Sequence, residues 1–346
     1  MTRGGGKRVS ATTGQERHVP VLLPQVLDAL NPQSNETYID ATFGAGGYSK
    51  AILEAAPCSL LSVDRDCDSI VEGQHLVDSF SPRLMLFQGR FSKIEEIAKA
   101  AGLEAVDGIV FDLGVSSMQL DRSERGFSFM REGPLDMRMG KDGETAAEVL
   151  ARLSEKELAD IFFKLGEERR SRAIAKAIVV QRETAPLVST FDLANLVERV
   201  LGRRPDEAKH PATRVFQALR LFINRELDEL VDGLQAAERL LKVGGRLVVV
   251  TFHSLEDRIV KRFLTEKSGN KANPSRHIPM DNLSKKSGEN RSCFQLVNRR
   301  AVKPNDREIK NNPRARSAHL RWGVRTQAPA YKLDHQSLGL PEIGKS

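Results

Sequence analysis

Cysteine is scarce in this sequence. Its 346 residues carry three, Cys58, Cys67 and Cys293. No two of them stand at C-x-x-C or zinc-finger spacing, which excludes the common redox and structural-zinc motifs. A sparse, odd set fits a reducing compartment, and no metal-ligand set is evident. No apolar run reaches the roughly 18 residues of a membrane-spanning helix. Met1 to Arg17 is glycine-rich and basic and lacks the apolar segment of a secretory signal. The expectation is a soluble, cytoplasmic protein with no membrane partner. Internal repeats are also missing. The main glycine cluster is not a G-x-x-x-x-G-K-[ST] P-loop. It also lacks the third glycine of the dinucleotide fingerprint, because Ser49 stands there, so a dehydrogenase is disfavoured.

What is present is a strand, a tight turn and a helix. The apolar-rich run Thr37 to Phe43 ends in Gly44, Gly46 and Gly47, and Ala51, Ile52, Leu53 and Ala55 continue at helical spacing. Such a turn lets backbone approach a ligand and offers helix N-terminal N–H groups. The next run, Ser59 to Val63, closes on Asp64, where a Rossmann-type site hydrogen-bonds a ribose. Further strands are expected at 83–88 and 106–112, with helices between, so the fold class is α/β with a parallel sheet. Gly44–Gly47, Asp64, Gln88–Phe91 and Asp112 all fall at carboxyl ends of strands, the edge where such sheets bind ligands.

The rhythm breaks after Asp112. Residues 121–208 are expected to form an inserted, all-helical domain, with Leu150, Leu153, Leu158, Ile161, Phe162 and Leu165 at helical spacing and a capping box at Ser154–Glu157. The Phe and Met residues of 126–140 suggest either a binding loop or lid, or side chains folded back on the core. The sheet domain, begun at 18–120, resumes over 209–330. A long amphipathic helix from Val215 is expected to end at Gly244-Gly245, followed by a strand over 246–252. Residues 1–17 are expected to be disordered, 267–291 to form a mobile loop, and 331–346 a C-terminal tail.

Formal net charge is +7 and the sequence pI about 9.3. The segment from Arg291 to Arg325 holds ten Lys/Arg against two Asp/Glu, so it accounts for the whole excess. A localised basic segment points to a nucleic acid. Arg299, Arg300, Lys303, Arg314, Arg316 and Arg321, on an expected terminal hairpin, are the candidates to meet phosphate.

Several segments together resemble one family. They are His18-Val19-Pro20-Val21-Leu22, Gly44-Ala45-Gly46-Gly47, Asp64-Arg65-Asp66, Asp112 to Ser117, Gly126-Phe127-Ser128-Phe129, Gly133 to Arg138, Asn224 to Leu227 and Phe252 to Arg258. In this order and spacing the chain resembles the bacterial 16S ribosomal RNA cytidine N4-methyltransferases. The resemblance implies a class I, Rossmann-like methyltransferase sheet with an inserted helical domain. It also implies S-adenosylmethionine as cofactor and 16S ribosomal RNA of the small subunit as partner, with a decoding-centre cytidine as target. Cofactor contacts carry over to Gly46, Gly47, Tyr48, Asp64, Phe91, Asp112 and Gln119. The family commonly has His at the position of Tyr48 and often Pro at that of Met118.

Asp112 is the candidate to orient the cytosine amine, with Ser116, Ser117 and His253 as further candidates. His253 is either a substrate contact or a satisfied histidine at a strand end. Two other readings stand beside this one: a ribosome assembly factor that binds RNA and cofactor without transferring methyl, and an N4-cytosine DNA methyltransferase. The latter usually carries a Ser/Asp-Pro-Pro-Tyr type motif where this chain reads Asp112-Leu113-Gly114-Val115.

Overall fold

The computed structural model describes residues 20–203, 210–269 and 292–343. The N-terminal tail 1–17, residues 204–208 of the expected insert and nearly all of the expected loop 267–291 lie outside the described residues.

Seven strands form one sheet: β1 (Thr37–Asp40), β2 (Ser59–Asp64), β3 (Leu84–Gln88), β4 (Val106–Asp112), β5 (Leu241–Thr251), β6 (Phe294–Leu296) and β7 (His319–Arg325), in the spatial order β3-β2-β1-β4-β5-β7-β6. The first five run parallel, and β7 lies antiparallel between β5 and β6. This is a Rossmann-like sheet, and its order reverses between β1 and β4, the switch point where such sheets bind ligands. The strands are apolar on both faces because both faces are covered. Ile39, Leu61, Ile109, Phe111, Leu247 and Val249 face one core, and Tyr38, Leu60, Val110, Val248, Val250 and Leu320 face the other. The alternation follows from the two-residue period of a strand.

Helix α1 (Leu23–Leu30) packs on the second of these cores. Around the parallel strands follow α2 (Gly47–Ala55), α3 (Cys67–Phe80), α4 (Ile94–Ala100) and the short α5 (Ser117–Asp121). A run of four helices follows: α6 (Ala146–Arg152), α7 (Glu155–Lys164), α8 (Ser171–Thr184) and α9 (Thr190–Leu201). Three of its N-termini carry capping boxes, at Thr145/Glu148, Ser154/Glu157 and Ser189/Asp192. In each, a hydroxyl and a carboxylate satisfy otherwise orphaned N–H groups.

Two expectations from periodicity are corrected. The long helix from Val215 is two helices, α10 (Thr213–Asn224) and α11 (Glu226–Leu240), broken at Arg225 with φ 50°. The second ends at Leu240. Gly244-Gly245 lies within β5, at a register shift against β4. The expected terminal hairpin is present as β6 and β7, and β7 also pairs with β5 over six positions, Arg246 to Thr251. Lys267, placed by the sequence at the start of a mobile loop, is the buried last residue of α12 (Ser254–Lys267). The described part of the tail, 331–343, is docked, with Leu338 buried and the Leu333 N–H bonded to Gln235 at 3.0 Å.

The loop 126–140 folds back rather than standing out as a lid. Phe127, Leu135, Met137 and Met139 are buried, and Phe129 stacks on Phe216 and His210, while Met130 is 80% exposed. Asn224 staples this loop: its Nδ2 donates to the Met137 carbonyl and its Oδ1 accepts from the Met139 N–H, both at 2.8 Å.

Candidate active site

A cleft opens at the carboxyl ends of β1, β2 and β4. Its walls include Gly44, Gly47, Asp64, Phe91, Asp112, Ser116 and Met139, with Pro20, Val21, Phe252 and Arg314 at its sides. The sequence-derived edge is therefore one site.

The glycine turn is shaped by packing as well as by the ligand side. Gly46 has φ 76°, and a Cβ there would come within 2.4 Å of Leu76. Its N–H is spent on the Phe43 carbonyl at 2.7 Å and it does not line the cleft. A Cβ on Gly47 would meet Pro20 at 2.4 Å. The glycine open to the cleft is Gly44, whose nearest neighbour would be Ser116 at 3.8 Å. The N-cap residue Gly46 has no side chain to cap α2, and although the Ser49 N–H is bonded to the Asp40 carboxylate, those of Gly47 and Tyr48 remain as donors for an anion.

Asp64 closes β2 and braces the turn. Its Oδ2 accepts from the Gly44 N–H at 2.7 Å and its Oδ1 from the Asp66 N–H at 2.8 Å. Burial pushes its carboxyl up to about 6 against these two bonds. Phe91 stands edge-on to Phe111, ring centroids 5.6 Å apart, and so offers a flat apolar wall. Asp112 ends β4 with its N–H donating to Thr42 Oγ1 at 2.6 Å. Its Oδ1 is buried and accepts no hydrogen bond among the described residues. Burial, then the carboxylates of Asp40 and Glu256, raise its pKa well above the carboxylate range. A buried carboxyl oxygen with no donor, in a cleft, fits a cationic or N–H-bearing ligand. The open Gly44, the uncapped helix start and Asp64 fit the carboxylate and ribose of S-adenosylmethionine.

The other carried-over residues serve the frame. The Tyr48 hydroxyl is turned to the Val21 carbonyl and the side chain is buried, which leaves its backbone N–H for the cleft. Gln119 is committed twice: Nε2 donates to Asp66 at 2.8 Å, and Oε1 accepts from the Ser116 N–H at 3.1 Å. Ser116 caps α5 and accepts from the Gln119 N–H. Ser117 accepts from Arg314 at 2.7 Å. His253 caps α12 through Nδ1, and its buried Nε2 lies 2.8 Å from Glu256 Oε1 without the geometry of a hydrogen bond. Glu256 is held below the ordinary range: burial opposes this, but His253, Arg220 and the Phe252 N–H outweigh it.

The basic candidates divide. Arg299, Arg300, Lys303 and Arg316 are exposed. Arg321 is instead locked bidentately to Asp257 at 2.7 and 3.0 Å, which withdraws it from the phosphate-binding set. Sequence reasoning missed Thr42 and the cleft-lining Arg65. Both flank motif residues, Thr42 two before Gly44 and Arg65 directly after Asp64, and adjacency was the available signal. The carboxyl and thiol groups of Asp66, Cys67 and Asp68 lie close together. Asp66, however, is bound to Arg125 and Gln119, and Asp68 to Arg125 and Lys141.

Asp40, fully buried beneath the turn, permits a pH test. Its Oδ2 accepts from Ser49 at 2.6 Å, and Ser49 meets Ser62 at 2.8 Å. Burial pushes its carboxyl from 3.8 up to about 6. The folded state then binds the proton more tightly than the unfolded state. Stability from this group is present below pH ~4 and is lost as pH rises through about 6. Asp40→Asn, which can still bond Ser49, is expected to gain stability relative to the unaltered chain by about 1–3 kcal/mol between pH 5 and 8. Denaturant unfolding at the two ends of that range measures it, and a difference that does not change with pH contradicts the assignment.

The chain is 53% identical over 326 residues to the ribosomal RNA small subunit methyltransferase H of Bradyrhizobium diazoefficiens, covering 94% of this chain and 96% of that one. It is 51% identical over 323 residues to the protein of the same name from Hyphomonas neptunium, covering 93% and 92%. Among solved structures, a putative rRNA methylase from Clostridium thermocellum aligns over 89% of this chain and 99% of that one, at 11% identity and a TM-score of 0.40, too remote to add to the assignment. Residues 15–326 match the MraW methylase family, and the chain belongs to that family.

Proposed function

We propose that this protein transfers the methyl group of S-adenosylmethionine to the exocyclic N4 of a cytidine in 16S ribosomal RNA, in the decoding centre of the small subunit. The observation that carries the reading is Asp112: a buried carboxyl at the switch-point edge, with Oδ1 unpartnered among the described residues and the glycine turn and Asp64 beside it.

The cofactor, when bound, supplies an electrophilic methyl on a good leaving group. The chain supplies positioning, which contributes up to ~7–11 kcal/mol in well-oriented reactions. The first-turn N–H groups of α2 would hold the cofactor carboxylate, Asp64 would accept from the ribose hydroxyls, and Phe91 would offer its face to the adenine. The cytosine N4 lone pair is conjugated with the ring. Asp112 Oδ1 would accept one N–H of the amine and leave the lone pair free to attack; as nitrogen bonds the methyl carbon the carbon–sulfur bond breaks, the neutral thioether leaves, and the surplus amine proton passes to the Asp112 carboxylate. The target base must leave its stack to reach this depth. The exposed Arg299, Arg300, Lys303 and Arg316 meet RNA phosphates, so affinity falls steeply with salt.

Mass mapping of modified cytidines in 16S ribosomal RNA from a strain lacking this protein tests the reading. One decoding-centre cytidine is expected to lose its N4-methyl group, and to regain it with the purified chain and cofactor. An unchanged modification map sinks the proposal.

A further inference from the structure

Arg314 is the one cation of the basic segment that, among the described residues, lines the cleft. It also bridges to α5, donating to Ser117 Oγ at 2.7 Å and to Asp121 Oδ1 at 2.9 Å. The bridge lies at the rim: the Arg314 side chain is 44% exposed and that of Asp121 64%. Exposed ion pairs of this kind hold weakly.

The backbone that presents Arg314 is built firmly. It belongs to the tight turn Pro313–Ser317, where Asn312 Oδ1 accepts the Arg314 N–H at 3.2 Å and Ala315 is fully buried. The preceding helix α13 (Asp306–Asn311) is tied to the other lip of the cleft, since Glu308 accepts from the Leu22 N–H at 2.6 Å, beside Pro20 and Val21. A fixed base with a weakly held guanidinium describes a side chain able to change partners without moving the fold.

We propose that Arg314 is a latch at the acceptor mouth of the cleft, which releases Asp121 and takes a phosphate flanking the extruded target nucleotide. The inference rests on the function proposed above. When a base enters the cleft its flanking phosphates stay at the rim, where Arg314 stands. A guanidinium matches phosphate oxygens in the same two-pronged way that it now matches Ser117 and Asp121. Asp121 keeps the latch closed in the free protein and competes with the phosphate. Arg321 and Arg325 cannot take this part: the first is locked to Asp257 and the second is buried against four carbonyls.

The test uses the full chain, unmethylated small ribosomal subunits and labelled cofactor, in single-turnover transfer at several salt concentrations. Arg314→Ala is expected to raise the half-saturating subunit concentration at least ~10-fold and to lower the salt slope by about one, with cofactor affinity by calorimetry within ~3-fold. Asp121→Ala is expected to move the other way, lowering half-saturation because the competing carboxylate is gone. If Asp121→Ala weakens subunit binding as Arg314→Ala does, the bridge is a structural brace and the latch is overturned. An unchanged salt slope in Arg314→Ala overturns it too. Absence of transfer by the unaltered chain would sink the functional reading, and the latch with it.

Discussion

Asp112→Asn is expected to leave cofactor affinity within about tenfold, ~1.4 kcal/mol, while methyl transfer falls at least ~100-fold. The side chain has no core-filling role. The residue is anchored through its backbone N–H to Thr42, which the substitution keeps. The amide preserves the shape but replaces one acceptor oxygen with a donor. A donor facing the cytosine amine holds it in the wrong orientation, as a wrong tautomer disables a triad. The charge environment sharpens the expectation. Burial, then the carboxylates of Asp40 and Glu256, raise the pKa of the Asp112 carboxyl, and a cation beside it acts in the opposite direction. Cofactor binding to the unaltered chain should therefore release a proton and tighten as pH rises. The amide introduced by Asp112→Asn has no such proton to release. The variant should retain only the weaker dependence that Asp64, pushed up to about 6, contributes. Single-turnover assays and calorimetry in two buffers of different ionisation heat measure both. Transfer at near the unaltered rate would make Asp112 a scaffold residue. Ser116, Ser117 and His253 would then be the next residues to test, Ser116 and His253 from their places at helix N-caps and Ser117 from its bond to Arg314.

The second large effect is on stability, at Lys267. Its side chain is 0% exposed and its partner Glu238 1%, with Nζ 2.6 Å from Glu238 Oε2. The ammonium also donates to the Tyr331 carbonyl and sits 3.5 Å from the centroid of the Tyr331 ring. Burial lowers the lysine pKa, and Glu238 opposes that. Removing one member of a buried pair leaves the other charge without compensation, a cost of about 3–5 kcal/mol. Lys267→Met is expected to destabilise the chain by that amount in denaturant unfolding. Adding Glu238→Gln should recover most of it, because the stranded charge is then gone. A single-variant loss under ~1 kcal/mol would contradict the burial argument. The pair joins α11 to α12 and, through Tyr331, pins the segment after β7. The double variant should therefore still free that segment to proteolysis.

The candidate site was legible because its chemistry is local. A strand, a glycine turn and a helix start announce an anion-binding corner within a dozen residues, Thr37 to Tyr48. Asp64 and Asp112 could be placed because each ends an apolar run, and in a parallel sheet every such end falls on one edge. The capping box at Ser154 was legible for the same reason: it spans four residues. The run of helices from α6 to α9 followed from a change of period from two to 3.6, which needs no knowledge of packing.

Partner choice across distance was not legible. Nothing in Arg321 distinguishes it from Arg316, yet one faces Asp257, 64 positions away in the sequence, and the other faces solvent. Periodicity ran straight through Arg225, because a single left-handed residue leaves the apolar pattern on either side intact. Lys267 read as the edge of a polar loop, since its burial depends on Glu238 and Tyr331, which come from two other segments. Tyr48 and Gln119, given a cofactor role by resemblance, both line the cleft, but only the fold shows their side chains bonded to Val21 and Asp66. The sequence by itself determined the sheet class, the ligand edge and the residues at strand ends, since these follow from local period and turn chemistry. The tertiary structure alone decided which polar groups are consumed by the frame and which remain for a ligand, because a hydrogen bond or ion pair is settled by what the fold brings within about 3 Å.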